Sequence, residues 1–145
     1  MRIAISGSTG LIGSVLVGYF LKKNDTVIQL TRRPSLDKAQ TSVAVWDPSS
    51  GSIEADKLEG HDVIIHLAGA NISERWTPAY KEKIESSRVE STRLLSQALA
   101  KLRQKPRLLI AASAVGFYGN HEPEKVFDED SPPSQGFLPQ VCRRW

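Results

Sequence analysis

The segment ISGSTGLIGS, residues 5–14, decides the fold of this chain because its glycines join a strand pattern to a helix pattern. The glycines recur at every third residue. Gly7 permits a tight turn, Gly10 lets the backbone approach a pyrophosphate, and Gly13 lets the helix pack close to the sheet. The helix N-terminus then offers free N–H groups and about half a positive charge to an anion. The segment therefore predicts a dinucleotide site formed by Gly7, Thr9, Gly10, Leu11, Ile12 and Gly13, in which Thr9 adds a hydroxyl.

Other interpretations of the glycine turn are weaker. A Walker-type loop is excluded because no Gly-Lys-Ser/Thr follows the glycines. A methyltransferase loop is a minor competitor that the helix start at Leu11 disfavours. A tight strand-to-helix turn that binds nothing remains the structural alternative.

Five apolar, β-rich segments alternate with helical patterns, which predicts an α/β fold with a Rossmann-like doubly wound parallel sheet. The strand segments are continuous apolar runs, as expected when both faces of a parallel sheet are covered. They are predicted at residues 2–6, 26–31, 42–46, 63–67 and 108–112. Residues 47–60 are polar and rich in serine, which indicates a loop with one helical turn.

Helices are predicted after the glycine turn, over residues 11–23, and before the last strand. The latter is the longest, with Thr77 as N-cap, Pro78 in the first position and an end near Arg103. Residues 135–145 resemble the opening of another helix. A doubly wound fold requires at least one more strand and helix, so we expect residues 1–145 to be an NADP-binding domain truncated after about five strands, without its C-terminal substrate domain. The alternative is a compact five-stranded domain that ends here.

Composition excludes several classes of function. The chain has 145 residues, 40% of them hydrophobic and 24% charged, which is ordinary for a globular domain. A net charge of +3 is too small and scattered to indicate nucleic acid, and no apolar run approaches the ~20 residues of a membrane helix. The lone Cys142 excludes an internal disulfide and, with no signal-peptide layout, fits a reducing cytosol. We expect a cytoplasmic protein without a nucleic-acid partner, membrane partner or metal site.

The end of the second strand indicates which dinucleotide is bound. NAD-binding turns usually place Asp or Glu there to hold the ribose diol, whereas this chain has Thr31, Arg32 and Arg33. Two guanidinium groups suit a 2′-phosphate, and a charge-assisted hydrogen bond of ~1.5–3 kcal/mol corresponds to roughly a ten- to hundredfold preference. The sequence therefore predicts NADP. The alternative is that both arginines are solvated loop charges.

The fourth strand ends in HLAGAN, residues 66–71, where small residues would let a cofactor ribose lie against the backbone. This predicts contacts from Leu67, Ala68 and Gly69. His66 lies within the strand and is interpreted as a hydrogen-bonded core histidine rather than a ligand or acid.

Arg88 is a cation on the packing stripe of the long helix, a costly position unless the charge is paired. It pairs with a carboxylate of the same helix, Glu85 or Glu90, or it faces the cofactor or a substrate phosphate. Both interpretations remain open.

Together these features resemble the extended short-chain dehydrogenase/reductase superfamily, which contains the sugar-nucleotide epimerases and dehydratases. The motifs are GSTGLIG at 7–13, HLAGAN at 66–71 and SAVGFYG at 113–119. The residues Arg75-Trp76-Thr77, Tyr80-Lys81, Ser87-Arg88 and Ser91-Thr92 are similar to an atypical branch, the epimerase family proteins, some labelled cell-division inhibitor. The resemblance spans the whole chain but only the cofactor-binding half of such proteins. It implies NADP bound by the glycine turn, Thr31-Arg32, Leu67-Ala68 and Arg88, without a settled substrate.

The catalytic pattern departs from that superfamily. Ordinary members have Ser or Thr four residues before the Tyr of a Tyr-Gly pair, whereas Tyr118 is preceded at that spacing by Ala114, with Ser113 one place away. The later Tyr-x-x-x-Lys pair, an acid–base arrangement, is missing from residues 137–142. A Tyr-x-x-x-Lys pair does occur at Tyr19 and Lys23. It lies on the first helix, several residues past the glycine turn and pointing away from the nicotinamide end, so it is not interpreted as the catalytic pair.

Three functions remain open. In an epimerase- or oxidoreductase-like enzyme acting on a carbohydrate- or nucleotide-linked small molecule, Ser113 and Tyr118 are the nearest catalytic candidates, although Tyr118 is equally interpreted as a packed aromatic. The chain is alternatively a non-catalytic NADP-responsive regulator, or it has a protein–protein role. We expect the 145-residue fragment to be inactive, and the open edge of the fifth strand predicts self-association as a homodimer or swapped pair.

Overall fold

The computed structural model describes residues 1–32, 41–120 and 124–145. In chain order the elements are β1 Arg2–Ser6, α1 Leu11–Lys22, β2 Thr26–Thr31, β3 Ser42–Asp47, β4 Ser52–Ile53, β5 Val63–His66, α2 Pro78–Lys101, β6 Leu108–Ala111 and α3 Phe137–Arg144. Short 3-10 turns occupy Ala55–Leu58 and Val115–Tyr118.

Within the described residues the strands form one sheet in the order β4-β3-β2-β1-β5-β6. All neighbours are parallel except β3 and β4. The predicted Rossmann-like parallel sheet is confirmed, and each of the five predicted strands is present to within one residue at either end. The chain builds outward from β1 on one side and then returns to its other side with β5. The carboxyl ends of β1 and β5 therefore flank the crevice where such sheets bind ligands.

The edge strand β4 is the element that the sequence analysis missed. It lies in the segment expected to be a loop, where it pairs antiparallel with β3 through Trp46–Ile53 and Asp47–Ser52. Gly51 (φ +69°) provides the left-handed residue of the connection. A two-residue, serine-rich strand has no periodicity that a sequence could display. The predicted helical turn of this segment is confirmed as the 3-10 turn Ala55–Leu58.

Helices cover both faces of the sheet, which explains the continuous apolar strands. The cluster on the α1 side contains Val17 with the strand residues Ile3, Ile5, Val27 and Ile65. The cluster on the α2 side contains the alternate strand residues together with helix residues, including Ala4, Ile28, Leu30, Ala44, Ile64, Leu95, Leu99 and Leu102. Successive residues of a strand point to opposite faces, so each strand supplies both clusters.

The ends of α2 follow the predicted signals. Thr77 Oγ1 accepts a hydrogen bond from the Tyr80 N–H at 3.2 Å, and Pro78 is the first helical residue. The helix ends with Leu102 as its C-cap, one residue before the predicted end. The helix predicted within residues 135–145 is α3.

The strand β6 forms the edge of the sheet opposite β4. Its apolar side chains Leu108, Leu109 and Ile110 are exposed by 38–50%. This is the open edge that the sequence analysis expected. Among the described residues, no helix combines the length and the apolar character needed to cross a membrane.

Candidate nucleotide-binding site

The glycine turn is a compact hydrogen-bonded loop between β1 and α1. The Gly10 N–H donates to the Gly7 carbonyl at 3.0 Å, and Gly7 has the left-handed φ of +68°. A Cβ added to Gly7 would lie 2.8 Å from the Leu67 carbonyl carbon. A Cβ added to Gly13 would lie 2.2 Å from the Gly7 oxygen. The close approach of Gly13 is therefore to the backbone of the turn rather than to a strand.

The first turn of α1 is available to an anion. Gly10 is its N-cap, no side chain of the described residues caps it, and its first turn contains no acidic residue. The side chains of Leu11 and Ile12 are 88% and 63% exposed, so they do not cover this end. Ser8 Oγ is buried in the turn without a hydrogen-bond partner among the described residues. Uncapped N–H groups at the positive end of a helix fit a pyrophosphate.

The turn opens into a cleft of about 700 Å³ between the carboxyl ends of the strands and one face of α2. Of the predicted cofactor residues, those lining the cleft are Gly7, Thr9, Gly10, Thr31, Arg32, Leu67, Ala68 and Gly69. Leu11, Ile12, Gly13 and Arg88 are not among the lining residues. Arg33 lies outside the described residues. The structure therefore brings together most of the residues predicted from three separate segments.

One wall of the cleft was missed by the sequence analysis. It consists of the end of β3 and the residues after it, Trp46, Asp47, Pro48 and Ser49. The carboxyl ends of parallel strands share one edge of a sheet, so the end of the predicted third strand was the signal that could have identified this wall.

Asp47 contributes a carboxylate to this wall of the cleft. Its carboxylate accepts hydrogen bonds from the Ser49 hydroxyl at 2.6 Å and from the Ser49 N–H at 3.0 Å. These bonds hold the pKa of Asp47 below its usual value, and the positive charge of Arg32 adds to the effect. Arg32 and Asp47 therefore bring opposite charges to neighbouring strand ends of the cleft.

The face of α2 also lines the cleft and was not predicted, apart from Arg88. Its lining residues are Lys83, Ser86, Ser87, Glu90 and Ser91. The Ser87 hydroxyl accepts a hydrogen bond from the Ala70 N–H at 2.9 Å. The helix thereby contacts the loop that follows β5.

The Arg88 side chain packs against the loop after β5. Its guanidinium donates to the Ala70 carbonyl and to the Ile84 carbonyl, each at 3.1 Å, and lies 5.3 Å from the ring centre of Trp145. A Cβ added to Gly69 would lie 3.1 Å from Arg88 Cζ. Burial lowers the pKa of this guanidinium. Arg88 therefore supports the cleft wall from behind.

The pairing of Arg88 with a carboxylate of its own helix, one of the two interpretations left open by the sequence, is not the arrangement among the described residues. Glu85 pairs with Arg144 of α3, and Glu90 pairs with Arg93 at 2.9 Å. The backbone carbonyls named above receive the guanidinium instead, because Arg88 points inward toward the β5 loop.

His66 is confirmed as a hydrogen-bonded core histidine. It is fully buried, its Nδ1 lies 2.6 Å from Ser6 Oγ, and its Nε2 lies 3.2 Å from Ser91 Oγ and 3.1 Å from Thr92 Oγ1. Burial lowers the pKa of His66 to about 4. The ring packs edge-on against Trp46, with 5.4 Å between centres.

The catalytic candidates Ser113 and Tyr118 are not among the residues that line the cleft. Ser113 is exposed after β6. The Tyr118 hydroxyl donates to the Asp128 carbonyl at 2.7 Å, and its ring stacks on Phe127 with 4.8 Å between centres. These are the contacts of a packed aromatic.

The Tyr-x-x-x-Lys match formed by Tyr19 and Lys23 lies at the C-terminal end of α1, away from the glycine turn at the start of that helix. The Lys23 ammonium is 4.8 Å from the ring centre of Tyr19. The two residues therefore interact with each other at the end of the helix remote from the cleft.

This chain is similar in sequence to known proteins over nearly its whole length. The model of the NAD dependent epimerase/dehydratase family matches residues 3–137. The epimerase family protein Mb2239 of Mycobacterium bovis is 38% identical over 144 residues, which are 99% of this chain and 46% of that protein. The chain thus spans about half the length of the curated relatives it matches.

Two solved structures also superimpose on the whole chain. The nucleoside-diphosphate sugar epimerase of Corynebacterium glutamicum has a TM-score of 0.81 at 36% identity, and 29% of it is covered. Human epimerase family protein SDR39U1, crystallised with NADPH, has a TM-score of 0.80 at 26% identity, and 47% of it is covered.

Proposed function

The chain belongs to the NAD dependent epimerase/dehydratase family, and we propose that its cleft binds NADP with the pyrophosphate on the glycine turn. The observation that carries this proposal is the uncapped first turn of α1, which opens beside a left-handed Gly7 into a 700 Å³ cleft. The N–H groups of that turn would donate to the phosphate oxygens, and the Thr9 hydroxyl would add another donor. Leu11, Ile12 and Gly13 would contribute backbone only.

Arg32 is the residue we propose for recognition of the 2′-phosphate. It lines the cleft directly after β2, where neither it nor the preceding Thr31 is acidic, and the nearby Asp47 carboxylate comes from the end of β3 instead. Arg33 is proposed to assist it. The NADPH in the structure of the human relative supports this choice.

The ribose next to the nicotinamide is proposed to lie along Leu67, Ala68 and Gly69. These residues line the cleft immediately after β5, and their loop is held by Ser87 and Arg88 of α2. Arg88 would therefore act on the cofactor through the loop.

A fluorescence titration of the chain with NADPH and, separately, with NADH tests this proposal. Arg32→Ala should weaken NADPH binding by about ten- to a hundredfold, because one charge-assisted hydrogen bond is lost, and should change NADH binding little. Arg107→Ala is the control, since Arg107 is an exposed arginine just before β6. Equal wild-type affinity for both dinucleotides would contradict NADP selectivity, and binding of neither would contradict the site itself.

For a protein of the relatives' full length we propose epimerase- or oxidoreductase-like chemistry on a carbohydrate- or nucleotide-linked small molecule. Bound NADP supplies a hydride acceptor or donor. Ser113 and Tyr118 are the proposed proton-handling residues, and the nucleoside-diphosphate sugar epimerase similarity supports this class of substrate.

A non-catalytic, NADP-responsive regulator is the second candidate. It is favoured by the engagement of the Tyr118 hydroxyl with the Asp128 carbonyl, outside the cleft lining. Stereospecific hydride transfer from NADPH to a carbonyl substrate by the longer protein would exclude it. Loss of that transfer in Tyr118→Phe would assign the acid.

Cellular location and assembly are also proposals. Cys142 is a free thiol, which fits a reducing compartment such as the cytoplasm. The exposed β6 edge supports a homodimer, which sedimentation of the chain at several concentrations would detect.

A further inference from the structure

The buried ring of His66 lies between Ser6, at the end of β1, and Ser91, on α2. We propose that His66 is a positioning residue for the nucleotide site, which holds the glycine turn and the loop after β5 in a fixed relation to α2. The inference rests on the proposed function because it assigns a role at the same cleft. His66 itself is not among the residues lining the cleft, so it would act through its partners.

On one side, His66 holds the start of the glycine turn. Ser6 is the last residue of β1 and directly precedes Gly7. Its hydroxyl oxygen is 2.6 Å from Nδ1 of His66 and also accepts the Leu67 N–H at 3.2 Å. Ser6 thus joins the ends of β1 and β5, the two strands that flank the crevice.

On the other side, His66 holds α2. The Ser91 hydroxyl is 3.2 Å from Nε2 and donates to the Ser87 carbonyl at 2.7 Å. The hydroxyl of Ser87 in turn accepts the Ala70 N–H. A continuous chain of polar contacts therefore runs from the residue before Gly7, through the imidazole, to the loop after β5.

The partners determine which ring nitrogen carries the proton. Ser91 uses its hydrogen on a backbone carbonyl, so toward Nε2 it can only accept, whereas the Thr92 hydroxyl, 3.1 Å from Nε2, can donate or accept. Ser6 accepts the Leu67 N–H, and its own hydrogen can be donated to Nδ1. The Nε2–H tautomer satisfies Ser6 and Ser91 together, and we infer that it is the one present.

The ring is neutral in this setting. Among the described residues, the groups that contact the ring are Ser6 from β1, Trp46 from β3, and Ser91 and Thr92 from α2, and none of these is charged. A neutral imidazole can accept at one nitrogen and donate at the other, as the relay requires. An apolar side chain would leave the buried Ser6 hydroxyl without its acceptor at Nδ1 and Ser91 without its contact at Nε2.

A small movement of these partners would reach the phosphate site. The Gly7 backbone packs so closely on the end of β5 that an added Cβ would lie 2.8 Å from the Leu67 carbonyl carbon. A shift at Ser6 or Leu67 therefore changes the position of the turn.

The test compares variants at His66 with the control Ile64→Val, a buried, apolar change two residues earlier in the same strand. His66→Leu should weaken NADPH binding by about tenfold, because loss of the hydrogen bonds at Nδ1 and Nε2 relaxes the turn. His66→Asn retains an acceptor near Ser6, and His66→Gln retains a donor toward Ser91, so each should recover part of the affinity. Ile64→Val should bind NADPH as the wild type does.

Two measurements without nucleotide separate this inference from the proposed function. In the wild type, a two-bond ¹H–¹⁵N correlation spectrum should show the Nε2–H tautomer of His66. In His66→Leu and in His66→Gln, hydrogen exchange of the Leu67 and Ala70 amides should be faster than in the wild type, whereas Ile64→Val should leave it unchanged. An Nδ1–H tautomer, unchanged exchange, or wild-type NADPH affinity in all three His66 variants would overturn the positioning role. The wild-type titration alone decides whether the cleft binds NADP.

Discussion

A glycine-to-alanine substitution is expected to have opposite effects on the stability of the protein at two positions of α1, Gly13 and Gly18. A Cβ at Gly13 would lie 2.2 Å from the Gly7 oxygen and 2.8 Å from Ser8 Cα, and both are backbone atoms that cannot rotate away. A Cβ at Gly18 would meet no heavy atom within 4 Å among the described residues, apart from neighbouring helix backbone. Gly18→Ala is therefore a matched control for Gly13→Ala.

The magnitudes follow from helix propensity and from overpacking. Replacing glycine with alanine inside a helix stabilises it by roughly 0.5–1 kcal/mol, which is the full expectation for Gly18→Ala. At Gly13 the same gain is opposed by a clash that costs about 1–3 kcal/mol or more, since α1 must move away from the turn. The expected net effect of Gly13→Ala is a loss of about 1–2 kcal/mol in the free energy of unfolding.

Urea denaturation of both variants measures these stabilities, and an NADPH titration measures the site. Gly13→Ala should unfold at lower urea and bind NADPH at least tenfold more weakly, because the first turn of α1 is displaced from the phosphate. Gly18→Ala should unfold at higher urea with unchanged NADPH affinity. Wild-type stability and binding in Gly13→Ala would refute the claim that this turn requires glycine, and destabilisation in Gly18→Ala would refute the open space at that position.

Two further predictions concern His66 and Tyr118. Burial lowers the pKa of His66 from 6.5 to about 4, so the unfolded chain binds more protons between these values, and stability present above pH 6.5 is lost as the pH falls toward 4. The contribution to the unfolding free energy should decrease by about 2 kcal/mol between pH 7 and pH 5, a decrease that His66→Asn should lack in parallel urea titrations. Tyr118→Phe removes the bond to the Asp128 carbonyl and should cost about 1 kcal/mol of stability while NADPH affinity stays unchanged, whereas weakened binding would place Tyr118 at the cofactor.

The parts of the site that could be predicted from sequence are those whose chemistry is local. The spacing of Gly7, Gly10 and Gly13 encodes a turn by itself, and the apolar runs encode covered strands. Arg88 shows the limit, because its partners are the Ala70 carbonyl, 18 residues away, and the ring of Trp145, on a different helix. A backbone carbonyl has no sequence signature, so the sequence offered only a glutamate of the helix or a ligand phosphate as the partner.

The cleft wall at the end of β3 was not predicted from the sequence, for a different reason. Trp46 reads as the apolar end of a strand, and Asp47 as the start of a polar loop, so neither indicates a binding surface. Their position at the cleft depends on β3 lying beside β2, which is established by pairing between residues 14 positions apart in the chain. Sheet order, and not residue type, assigns them to the site.

The residues proposed for cofactor binding are connected to one another across several elements of the fold. The turn after β1, the loop after β5 and the supporting face of α2 all lie within the described residues, and they contact one another through Ser6, His66, Ser87 and Ser91. A proton-transferring Tyr-x-x-x-Lys pair, in contrast, has no counterpart in α3. If NADP binds as proposed, the elements that would hold it therefore form one connected unit within the described residues.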